Sequence, residues 1–160
     1  MLTLTSFHVV ISLIGIAAGL VVMFGWLNDR RLGGWTAVFL ATTVLTSATG
    51  FVFTFKRLLP AHFIGALSLV LLAIAIYAWY VRGLAGRWRP IYVVSAAVAL
   101  HLNVFVGVVQ AFMKIPVLNA LAPTQTEPPF LATQLVVLLL FVALTVAAVR
   151  RFRGGVHGRW

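Results

Sequence analysis

No cysteine occurs in this chain, and only two carboxylates do, Asp29 and Glu127. The first absence excludes disulfides, thiolate chemistry, cysteine-ligated zinc and iron–sulfur clusters. The second leaves every long apolar stretch without an acid, so the group that usually couples a transporter to protons or sodium is missing. Charge of any sign is scarce at 9% of residues, whereas 62% are hydrophobic; a soluble domain carries about 25% charged residues. A soluble core of that size would need a polar remainder to cover it, and the chain has none. The composition is that of a membrane protein.

What is present is a set of apolar runs, each long enough at roughly 20 residues to cross about 30 Å of hydrocarbon. Five are expected, over 6–27, 34–55, 61–81, 90–114 and 130–149, with one long connection at 115–129 and a basic tail at 150–160. The fold expected is therefore all-α, a single bundle of five membrane-spanning helices. Of the 12 Lys and Arg, nine fall on one side of such a bundle: Arg30, Arg31, Arg82, Arg87, Arg89, Arg150, Arg151, Arg153 and Arg159. Lys56, Arg57 and Lys114 fall on the other. The positive-inside rule then puts the N-terminus outside and the C-terminus in the cytoplasm of a bacterial inner membrane. The net charge of +10 reflects topology, with the lipid bilayer as the partner and no nucleic acid. Trp35, Trp79, Trp88 and Tyr92 cluster near the predicted inner boundaries, as an aromatic belt would, and Trp26 shares that side.

The fourth run carries the most polarity, HLNVFVGVVQAFMKIP over 101–116. At 100° per residue, Asn103, Gly107, Gln110 and Lys114 fall in a stripe about 60° wide, and His101 lies about 160° from Asn103. Polar side chains in hydrocarbon need partners inside the protein, so this helix is expected at the centre of the bundle. His101 and Asn103 are read as polar groups of the bundle core, with His101 hydrogen-bonded to a Thr or Ser of a neighbouring helix. Gly15 and Gly19 form a GxxxG that serves either close packing within the monomer or dimerisation. Pro116, Pro123, Pro128 and Pro129 prevent a continuous helix between the fourth and fifth runs. A short turn over 117–122 is expected there, then extended chain or a mobile lid.

Shared depth gathers His8, Ser12, Thr46, Thr49, His62 and Gln110 into the outer half, under the long connection, as a candidate ligand-binding site. Amide and imidazole groups in an apolar pocket suit a carbonyl-bearing guest. No catalytic motif is present and no closed metal site is expected. The function expected is non-enzymatic: an accessory subunit of a larger membrane complex or homo-oligomer, or a small-ligand-binding bundle. Two alternatives stand beside it, a redox protein holding haem or a quinone through His8 and His62, and a small transporter or channel. In length and helix count alone the chain is similar to the translocator-protein class of tryptophan-rich sensors; that family's tryptophan and proline pattern does not map onto these helices and implies no residue roles.

Overall fold

Thr3 starts the first helix by accepting a hydrogen bond from the Ser6 amide on its side chain, which satisfies one of the donors a helix leaves open at its start. In the computed structural model, which describes residues 3–52 and 60–154, the chain then runs as α1 (Leu4–Leu27), α2 (Gly33–Val52), α3 (Pro60–Ile76), α4 (Trp88–Lys114), α5 (Pro116–Leu121) and α6 (Pro128–Arg151). No strand occurs among the described residues. Five of these helices are long and apolar enough to cross a membrane, α3 counting with the turn that extends it to Val81. Expected positions 53–55, with Lys56 and Arg57, and positions 155–160 lie outside the described residues.

α4 is the hub, packing against α1, α2, α3, α5 and α6. α1 lies between α2 and α4, α3 closes the other side of α2 and α4, and α6 covers the seam of α1 and α4. The close approach of α1 depends on its GxxxG. A Cβ on Gly19 would stand 2.5 Å from Leu100 Cδ1 and 2.9 Å from Phe39 Cδ2, and one on Gly15 would stand 3.1 Å from the Thr42 and Thr43 hydroxyls. Both glycines are buried, so this motif packs within the monomer.

The last turn of the third span differs from the expected α-helix. Tyr77–Val81 is a π-helical turn, closed by the Arg82 amide bonding the Tyr77 carbonyl at 3.0 Å. The wider turn sits where large rings pack together. Trp26 and Trp79 contact Tyr92 at centroid distances of 5.4 and 5.0 Å, and Phe152 stands 6.4 Å from Trp26. Trp26, Trp79, Tyr92 and Phe152 are all buried. This corrects the reading of Trp79 and Tyr92 as interfacial belt residues: they are core, and Trp35, Tyr77 and Tyr80 are the exposed rings at that end. Arg31 lies over the Trp79 ring at 4.5 Å, a cation–π contact that ties the α1–α2 turn to the cluster. The Arg153 amide donates to Asp29 Oδ1 at 2.7 Å, so the start of the basic tail is docked on the bundle.

The long connection is also more ordered than expected. Pro116 opens α5 and the Asn119 side chain donates to the Phe112 carbonyl at 3.1 Å. Beyond it, the Glu127 carboxylate accepts from the Thr124 amide and hydroxyl and from the Thr126 amide at 2.7 to 3.1 Å. These bonds, the Thr124 side chain's first, hold the Glu127 carboxyl below its ordinary pKa of 4.5. Ala122, Phe112 and Phe130 form a small apolar cluster beneath.

Candidate functional site

At the end of the bundle opposite the arginines, the helix faces that meet are made of small residues. α1 offers Thr5, His8 and Ser12; α2 offers Thr43, Thr46, Ser47 and Gly50; α3 offers His62, Gly65 and Ser68; α4 offers Asn103, Gly107 and Gln110. Small side chains facing small side chains leave volume, and a cavity of about 360 Å³ opens among these four helices. Leu13, Ile16, Phe51, Ile64, Leu102 and Val106 supply its apolar wall, and Lys114 stands at its edge. Along α1 it reaches from Thr5 to Ile16, about 16 Å at 1.5 Å per residue. The volume lies in the roughly 300–1,000 Å³ range of small-molecule sites.

Of the six candidate residues, His8, Ser12, Thr46, His62 and Gln110 line this cavity. Thr49 does not line it but holds one that does, since its hydroxyl lies 2.7 Å from His8 Nδ1. That hydroxyl already donates to the Leu45 carbonyl at 2.7 Å, so it accepts from the imidazole Nδ1–H. His62 is set against the Phe51 ring at 5.7 Å.

Asn103 belongs to this site as well. The stripe of Asn103, Gly107, Gln110 and Lys114 is in its entirety a wall of the cavity, so Asn103, buried in the bundle, also borders the site beside Gln110. The Ser12 hydroxyl donates to Asn103 Oδ1 at 3.1 Å, while Asn103 Nδ2 is buried with no hydrogen-bond partner. Thr46 shows the same deficit. Thr42, Thr43 and Thr49 each donate to the carbonyl one turn back at 2.7 Å, whereas the buried Thr46 Oγ1 makes no bond. Asn103 and Thr46 are only 8% and 9% exposed. A buried donor left unmade costs about 1–3 kcal/mol; both atoms are sealed between helices, Asn103 Nδ2 against Gly15 of α1.

His101 is separate. It faces α6, with its ring 5.1 Å from that of Phe141, beside a smaller hollow of about 180 Å³ between α4 and α6. Its Nδ1 is buried without a partner, which corrects the expected bond to a Thr or Ser. No residue of 115–129 lines the cavity. The long connection packs through Phe112 and Phe130 instead, so the candidate residues do not converge beneath it. Thr43, Ser47 and Ser68 are wall residues that the depth argument missed. Positions 43, 46, 47 and 50 follow the i, i+3, i+4, i+7 spacing of one helix face, a signal that would have found them.

Among the described residues no group of three or more His, Asp or Glu is placed to hold a metal ion. Comparison of the chain with protein-family models, curated proteins and solved structures finds no match.

Proposed function

We propose that this is a multi-pass protein of a bacterial inner membrane, N-terminus outside and C-terminus in the cytoplasm, that holds a small ligand in the cavity between α1, α2, α3 and α4. The observation that carries the reading is the cavity itself, about 360 Å³ among four helices, walled by His8, Ser12, Thr46, His62, Asn103 and Gln110 within an apolar surround. Support for the orientation comes from the arginines, eight of which gather around the α1–α2 turn, the α3–α4 turn and the end of α6, as cytoplasmic loops do. The role read here is binding: the wall offers imidazoles, an amide and hydroxyls around an apolar volume.

The two histidines on the wall favour one particular form of this reading, in which the guest is a redox molecule, haem or quinone. A reduced-minus-oxidised absorption spectrum of protein purified in mild detergent, with mass spectrometry of everything retained, tests both forms. A retained small molecule absent from the cavity-filling variant Gly107→Leu supports ligand binding, and a haem or quinone signal selects the redox form. A preparation empty of small molecules but carrying a stoichiometric protein would sink the ligand reading and make the chain an accessory subunit.

A further inference from the structure

We infer that the cavity opens sideways into the bilayer between α1 and α4, and that its guest is a membrane-dissolved amphiphile with its polar head at the outer end and its apolar tail leaving past Val9 and Leu13. The inference rests on the ligand-binding reading above and names the class of guest and its route.

The opening follows from how far the cavity reaches around α1. Its lining includes both His8 and Leu13, which at 100° per residue stand about 140° apart on the helix. Leu13 is 60% exposed and Val9 38%, yet both line the cavity. A side chain that borders the cavity and the outer surface at once stands at the rim of an opening. Across the seam Gln110 of α4 is in the same position, exposed and lining the cavity. Deeper in the bundle the seam is shut: the Ser12 hydroxyl bonds Asn103, a Cβ on Gly107 would stand 3.6 Å from Ile16 Cδ1, and one on Gly19 would stand 2.5 Å from Leu100 Cδ1. At this level α6 packs on α4, through Phe130 against Phe112 and the Gln134 amide on the Phe105 carbonyl at 3.2 Å, and leaves Val9 and Leu13 uncovered.

Depth turns the opening toward lipid. Along α1, Val9 and Leu13 are about 8 and 14 Å from the first residue, which puts both within a hydrocarbon core about 30 Å thick. An apolar rim at that depth faces acyl chains, so what passes it is dissolved in the bilayer. The lining nearest the outer end is polar, with Thr5, His8, His62 and Gln110. Farther in, Ser12 is engaged with Asn103 and Thr43 with the Phe39 carbonyl. A polar head therefore belongs outermost and an apolar tail below it, in the opening.

Photolabelling of the protein in lipid nanodiscs tests the route. Two probes are compared, a benzophenone carrying a dodecyl chain, which partitions into lipid, and a sulfonated benzophenone, which stays in water. The dodecyl probe is expected to label the cavity-lining Ser47 and Val106, mapped by peptide mass spectrometry, and the sulfonate to label them less. Leu13→Trp and Val9→Trp each place a large ring at the rim and are expected to lower labelling by the dodecyl probe about tenfold, equivalent to about 1.4 kcal/mol. Ile14→Trp, at an exposed neighbour that does not line the cavity, is expected to leave it unchanged, with labelling of the exposed Leu139 equal in every variant. A loss in either rim variant that Ile14→Trp does not share supports the opening. Undiminished labelling in both rim variants, an equal loss in Ile14→Trp, or stronger cavity labelling by the sulfonate overturns the lateral route while leaving the ligand reading standing. Labelling of the cavity by neither probe overturns both.

Discussion

The arginine-rich end of this bundle and the opposite end are built from different side chains, and the difference explains why one is packed and the other hollow. At the arginine-rich end, Trp26, Trp79, Tyr92 and Phe152 meet ring against ring with none left exposed. At the other, serines, threonines and glycines of four helices face one another. In the middle, small meets large where α1, α2 and α4 cross: Gly19 receives Leu100 and Phe39. Helix association in lipid relies on van der Waals packing rather than on a hydrophobic driving force, so stability is expected to reside in the aromatic end and the middle. The hollow end is then free to be tuned for a guest.

Mutations at the two ends should therefore part in size. Tyr92→Ala removes a fully buried ring that touches Trp26 and Trp79 and is expected to cost about 3–5 kcal/mol, read as a fall in thermal midpoint in detergent. Gly19→Ala drives a methyl into Leu100 and Phe39 and is expected to cost about 1–3 kcal/mol. Asn103→Leu deletes an orphan donor together with the acceptor of the Ser12 hydroxyl and is expected to change stability by no more than about 1 kcal/mol, while lowering retention of the guest. A large loss of stability from Asn103→Leu, matching that of Tyr92→Ala, would erase the contrast between the ends.

The smallest effect concerns pH and the connection between α4 and α6. Because the Glu127 carboxyl is held below its ordinary value by the Thr124 and Thr126 donors, it stabilises the folded turn fully above that ordinary value, and this contribution fades as pH falls through the lower folded value. Hydrogen exchange at the Thr124 and Thr126 amides is expected to show undiminished protection from neutrality down to the ordinary carboxylate range and weaker protection below it, after correction for intrinsic exchange. Protection already lost near neutrality would remove the carboxylate from its role. The cavity, which this connection does not line, should not respond.

The helices were legible because each is a long apolar run, of a length that could cross a membrane, and arginines mark several of the connections. The gathering of His8, Ser12, Thr46, His62 and Gln110 was legible too, since depth follows from position along a helix of known rise. Depth does not say which way a side chain turns. Thr46 and Thr49 are adjacent on the same helix, yet one borders the cavity with its hydroxyl buried and unpaired and the other bonds its own backbone and the His8 ring. The same limit separated Asn103 from Gln110, although the angular stripe they share was the correct signal. Trp79 and Tyr92 carry the composition of an interfacial belt, and only the π-helical turn and the rings of neighbouring helices reveal them as core.

The most direct test of the central claim is native mass spectrometry of the protein released from nanodiscs, wild type beside Asn103→Leu and Thr46→Val. The expected result is a small-molecule adduct on the wild type that is reduced or absent in both variants, whose thermal midpoints stay close to the wild-type value. An adduct-free wild type, or an adduct equally retained by both variants, would contradict a ligand site bordered by Asn103 and Thr46.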